Sequence, residues 1–191
     1  MTTIPQEEGE LNRDQQRKLL SLARETITMY LAERKLPPPD TSEPIFAEDR
    51  AVFVTLHKGG RLRGCIGTLE AHLPLSQAII EYAVASSTQD PRFRPVSAAE
   101  TPQLQIEISV LSPMRKVADA SEIVVGRHGV CVRCMGRSGV FLPQVATEQG
   151  WDRDTMLTCL CEEKAGLPGD AWQKPGTDIY CFTAQVFHEG E

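Results

Sequence analysis

An α+β fold is what this sequence predicts, on three observations. Long helical patterns stand apart from hairpin-like strands, one strand alternates strictly, and no regular βαβ rhythm runs through the chain. With 191 residues, 41% of them hydrophobic, the chain has the length for a substantial core and for one domain of two lobes.

The first element opens at Asn12, with Gln15 three residues on in a variant of the capping box. Leu19, Ala23, Ile27 and Leu31 then recur every fourth residue, with Leu20 and Tyr30 widening the stripe into an amphipathic helix of about twenty residues. Pro37-Pro38-Pro39 stops it, because proline offers no amide donor and pushes its predecessor to extended geometry. Ala51 to His57 is rich in β-branched residues and reads as a strand; Lys58-Gly59-Gly60-Arg61 is a turn, and Leu62 to Thr68 returns as a second strand. Pro74 suits the first turn of a helix running to about Ser87. Asp90 to Pro95 is an extended connector, and Ser97 with Glu100 forms a capping box for a short helix ahead of Pro102. Leu104 to Leu111 alternates strictly, with Leu104, Ile106, Ile108 and Val110 on one face and Gln105, Glu107 and Ser109 on the other. Short strands are expected at Ile123–Val125, Val130–Arg133 and Val140–Leu142. Asp152 caps a helix carrying Met156, Leu157 and Leu160 and closed by Gly166, and Ile179 to Phe187 is the final strand.

The net charge of −6 is unevenly spread. Residues 57–137 hold ten Lys and Arg against seven Asp and Glu, whereas the rest of the chain is strongly acidic. A mildly basic middle does not make the cationic face that nucleic acids require, so no nucleic-acid partner is expected. It leaves room for a small anionic ligand held by a few arginines. No segment has the apolar run of a membrane span, and Met1 to Glu10 reads as a flexible acidic tail without signal-peptide features. The expected location is cytoplasmic, and the six cysteines are read as thiols in a reducing compartment.

The stretch from Gly59 to Thr68 carries the most chemistry. Gly64 and Gly67 flank Cys65 and leave its backbone approachable, while Arg61 and Arg63 supply positive charge of the kind a reactive thiolate needs. The same residues also suit a buried structural cysteine in a glycine-bent strand. A nucleophile needs a base, and His128, on the turn between Gly126 and Gly129, is the best placed of the four histidines; Glu107 is the other proton-handling candidate. No metal site is expected. Cys131 and Cys134 fall on opposite faces of a strand, and Cys159 and Cys161 lie about 200° apart on a helix.

Leu62-Arg63-Gly64-Cys65-Ile66-Gly67 resembles the LRGCIG hallmark of the AMMECR family, whose prokaryotic members are called AmmeMemoRadiSam system protein A. Asp90-Pro91-Arg92-Phe93, Ile106 to Pro113, Gly126-Arg127-His128-Gly129, Leu142 to Ala146 and Lys164 to Pro168 are similar to further family segments and follow in family order. The resemblance covers residues 11–188. It implies a largely antiparallel sheet flanked by helices in a larger lobe built from both chain ends, and a smaller β-rich lobe from the middle. It also implies a cleft near LRGCIG and partnership with a Memo-like protein and a radical SAM enzyme, but supplies neither a reaction nor a cofactor. Two functions follow as expectations. In one, Cys65 is a nucleophile or covalent carrier, with Arg63, Gly64, Gly67, Arg92 and Arg127 holding an anionic group and His128 or Glu107 moving the proton. In the other, the chain is a non-catalytic adaptor whose cleft recognises a partner or its substrate.

Overall fold

The computed structural model describes residues 10–190. The expected acidic tail lies outside the described residues, apart from Glu10. The chain divides into two compact units: one runs to Leu111 and resumes at Gln185, and the other spans Ser112–Ala184.

In the first unit, four strands lie in the order β2-β1-β3-β8: β1 (Val52–Lys58), β2 (Arg61–Gly67), β3 (Leu104–Leu111) and β8 (Ala184–His188). Helix α1 (Arg13–Glu33) begins as its sequence predicts. The Asn12 side chain accepts the Gln15 amide at 3.0 Å, and the Gln15 side chain accepts the Asn12 amide at 2.9 Å. The helix ends at Arg34, in the left-handed region at φ 57°, so it has already stopped before the proline run. Leu19, Leu20, Ala23 and Ile27 of α1 join Leu75, Ala78, Ile79 and Ala83 of α2 (Leu75–Thr88) against Val52, Val54, Leu56, Ile106, Ile108 and Val110. Strict alternation in β1 and β3 makes this possible, since every second side chain enters one core. The returning end of the chain is stitched in by polar contacts. Gln185 bonds both backbone groups of Leu11, and Arg24 pairs with Glu189 while also donating to the carbonyls of Thr101 and Leu104.

The second unit carries the sheet β4-β7-β5-β6: β4 (Arg115–Lys116), β5 (Gly129–Cys134), β6 (Arg137–Phe141) and β7 (Thr177–Phe182). Helices α3 (Pro143–Gln149) and α4 (Arg153–Cys159) accompany it, and α4 continues as a π-helical turn over Leu160–Ala165. The Asp152 side chain caps α4 by accepting the Thr155 amide at 2.8 Å.

Two expectations are corrected here, and one helix is added. Ile123–Val125 is not a strand: the Asp119 cap winds Ala120–Glu122 into a 3₁₀ turn, and Val124 then closes the following turn with its carbonyl. Pro143–Gln149, for which the sequence reading gives no element, is a helix with proline in its first turn. The run Ile179 to Phe187 is two strands in different sheets. It breaks at Thr183, whose amide and carbonyl are both taken by Ser112, the oxygen of its hydroxyl accepting and its amide donating.

Candidate functional site

Opposite its helix-covered side, the first sheet sets three cross-strand rows. Strand register places Cys65 beside Thr55 and Thr55 beside Glu107. The row on one side is Gly67, Phe53 and Ser109, and that on the other is Leu62, His57 and Gln105, with a bulge at Arg63 keeping the parity. The hydroxyl of Thr55, a residue only 9% exposed, donates to Cys65 Sγ at 3.2 Å. Cys65 itself is half-buried. Glu107 is separated from it by the whole of strand β1, about 9.5 Å at ordinary strand spacing. Threonine, not the expected glutamate, is therefore hydrogen-bonded to the thiol, and the Arg92 guanidinium also interacts with it.

Because β2 is an edge strand, the Cys65 amide and carbonyl point away from β1. Asp90 and Arg92 satisfy both. Asp90 Oδ2 accepts the Cys65 amide at 2.8 Å, and Arg92 Nη2 donates to the Cys65 carbonyl at 3.2 Å. The carboxylate also accepts Arg92 Nη2 at 2.7 Å, Arg92 Nε at 2.9 Å and the Arg92 amide at 3.1 Å. The Arg92 guanidinium, helped by the Cys65 and Arg92 amides, holds this buried carboxyl well below the usual carboxylate range against the opposing cost of burial. Local sequence explains the geometry: Asp at the first position and Pro91 at the second form a β-turn, closed by the Phe93 amide on the Asp90 carbonyl at 3.1 Å.

The flanking glycines have a packing account. A Cβ on Gly64 would stand 2.2 Å from the Ser86 carbonyl oxygen of α2, so only glycine lets that helix lie so close. The approach carries the Ser86 hydroxyl into the β1–β2 ladder, where it accepts the Ile66 amide at 3.1 Å and lies 2.7 Å from the Val54 carbonyl. A Cβ on Gly67 would meet the Val52 carbonyl oxygen at 2.2 Å and the Phe53 ring at 2.5 Å. Both positions thus admit close backbone and ring contacts.

The arginines have partners within their own units. Arg63 is spent on Glu100 through Nε and Nη2, both at 3.3 Å, and on the Arg94 carbonyl at 2.9 Å. The Ser97 amide, then Lys58 and Arg63, hold the Glu100 carboxyl well below its ordinary range. Arg63 and Arg92 are each paired with a carboxylate, Arg63 sharing Glu100 with Lys58, and the Arg92 side chain stays largely exposed. Arg127 and His128 belong to the second unit. There His128 closes its own turn: Nδ1 accepts the Val124 amide at 3.1 Å, and the His128 amide donates to the Val124 carbonyl at 2.9 Å.

Sequence reading missed Asp90 and Thr55 as site residues. Asp90 was legible as the first residue of an Asp-Pro turn. Thr55 was legible from period-2 parity in β1, which puts it on the face opposite Val54 and Leu56.

A sequence model of the family described as AMMECR1 matches residues 20–187. A protein of Methanothermobacter thermautotrophicus is 44% identical over 186 residues, with 94% of this chain and 96% of that relative covered. One from Methanopyrus kandleri is 43% identical, with 97% and 90% covered. The crystal structure of the uncharacterized protein PH0010 from Pyrococcus horikoshii is similar with a TM-score of 0.78 at 40% identity, covering 91% of this chain and 90% of that one.

Proposed function

The chain belongs to the AMMECR1 family, and from that premise we propose that Cys65 is its working group, a thiol that attacks and holds a small substrate covalently. The observation that carries this reading is the hydrogen bond from Thr55 to Cys65 Sγ on a backbone clamped at both polar groups by Asp90 and Arg92. The clamp fixes where the sulfur stands, and the threonine hydroxyl gives a donor for negative charge that develops on sulfur during attack or release. The chain acts in the cytoplasm as one component of a pathway with a Memo-like protein and a radical SAM enzyme, the partners its family resemblance implies. Arg92, whose side chain is 54% exposed, is the group that reaches a negatively charged part of the substrate.

A second reading is a non-catalytic adaptor that uses the same segment to recognise a protein partner. It is favoured by the packing account of Gly64 and Gly67, which explains two motif residues without chemistry. One experiment separates the two. Peptide-resolved alkylation is run at neutral pH on the wild-type chain, alongside pathway complementation by Cys65→Ser. A carrier thiol alkylates ahead of the other five cysteines, and the serine variant, correctly folded, loses pathway activity. Retained activity in Cys65→Ser sinks the carrier and leaves the adaptor.

A further inference from the structure

The sheet face that carries Cys65 also carries an aromatic ring that neither core uses. Phe53 stands opposite Gly67 in the strand register, one row along from the Cys65–Thr55 pair. A Cβ on Gly67 would lie 2.5 Å from both Cγ and Cδ1 of Phe53, so the ring leans from β1 over the bare backbone of β2. Alternate residues of a strand share a face about 7 Å apart, which puts the ring along the border of the thiol's row. On the other side of that row, His57 pairs with Leu62, an apolar side chain left 40% exposed.

Phe53 is not accounted for by the fold. Its neighbours Val52 and Val54 point to the opposite face and are fully buried in the first core. Among the described residues, both cores are assembled without Phe53, which remains half-buried on the open side of the sheet. Covering a cross-strand glycine explains where the root of the ring rests. It does not call for so large an apolar surface outside the cores. Ligand sites, by contrast, are built mainly of apolar walls with a few convergent polar groups. Here the walls are Phe53 and Leu62, and the polar groups are the Thr55 hydroxyl and the exposed Arg92 guanidinium, both bonded to Cys65.

Resting on the reading of Cys65 as the working group, we propose that Phe53 is the specificity-determining residue of this site. Its ring takes the apolar body of the substrate beside the thiol, and Arg92 takes the negative group. The substrate class is a small amphipathic anion with an aromatic body, in preference to a short, wholly polar acid.

The test compares two alkylating probes on the full chain at neutral pH, iodoacetamide and its N-phenyl derivative. Each rate is divided by that of glutathione with the same probe. In both reactions the thiolate attacks the methylene carbon and iodide leaves with the bonding pair, so the probes differ only in the ring. Cys65 of the wild type is expected to favour the phenyl probe about tenfold, the size of one aromatic contact. Phe53→Thr, which keeps a strand-forming side chain, brings the ratio to about one, and Phe53→Tyr restores it. A wild-type ratio near one overturns the proposal, as does a preference that survives Phe53→Thr. Failure of the carrier reading looks different: Cys65 then lags the other cysteines with iodoacetamide itself. In that case the ring is read without the thiol, from line broadening of phenylacetate protons by Cys65→Ser. Broadening that acetate does not share, and that adding Phe53→Thr removes, upholds the role of Phe53; no broadening, or broadening unchanged by that substitution, overturns it.

Discussion

Replacing Asp90 with asparagine removes one charge and leaves the side chain's shape. The carboxylate uses Oδ2 for the Cys65 amide and Arg92 Nη2, and Oδ1 for the Arg92 amide and Arg92 Nε. A side-chain amide keeps one oxygen, so whichever way the new group turns, its NH₂ faces two donors. With the oxygen in the Oδ2 place the Cys65 amide keeps a neutral acceptor; with the NH₂ there it loses a hydrogen bond to a buried charge, worth about 2 kcal/mol net. That converts to amide exchange at Cys65 about thirtyfold faster, at about 1.4 kcal/mol per tenfold. The assay is hydrogen exchange resolved to peptides covering residues 61–67, compared with peptides from 129–141 in the second unit. Tryptophan fluorescence would not serve, because Trp151 and Trp172 both lie in the second unit. An acceleration below about threefold, or one spread equally over both units, would refute the view that Asp90 holds the Cys65 backbone locally.

Three further outcomes are expected. Asp90 and Glu100 are both held below their ordinary values, so their stabilisation is complete above the unfolded carboxylate range of about 4 and is lost as pH falls through it toward their folded values. The urea midpoint of the first unit, followed by hydrogen exchange of peptides covering residues 61–67, is therefore flat from pH 7 to about 5 and falls below about 4, and Asp90→Asn flattens that fall. Thr55→Val slows Cys65 alkylation about fivefold, the worth of one hydrogen bond of about 1 kcal/mol, while Thr55→Ser restores it; equal rates in the valine variant and wild type would remove threonine from the site. Gly64→Ala drives a methyl into the Ser86 carbonyl of α2 and destabilises the first unit by about 3 kcal/mol, seen as a lower urea midpoint for Cys65 exposure.

Much of the fold was legible because its signals are local. The Asn12–Gln15 cap and the alternation of β3 need only neighbours in sequence, and both stand as read. The sheet change at Thr183 was not legible, because its cause is Ser112, seventy-one residues away. The candidate site divides the same way. A cysteine between glycines is visible in the sequence, but the reason for Gly64 is a helix carbonyl and the partner of Arg63 is Glu100, both set by long-range packing. Counting basic residues failed for the same cause: a charge tally cannot see which carboxylate each guanidinium meets.

Taken residue by residue, the LRGCIG segment separates what packing explains from what it does not. Gly64 and Gly67 admit close neighbours, Arg63 latches onto Glu100 and nearby carbonyls, and the Ile66 amide is capped by Ser86. At Cys65 packing accounts for the backbone and leaves the side chain half-exposed beside a buried hydroxyl. Fixing one backbone residue costs about 1–2 kcal/mol of conformational entropy, and here a buried carboxylate, its arginine and a turn are committed to a single edge position. A purely structural cysteine would need no such support, since an apolar side chain is held by burial alone. A thiol that must meet a substrate at a set angle does need it, because small displacements of a reacting atom cost rate steeply. The clamp on the backbone is thus the argument that the sulfur is the part of this motif put to use.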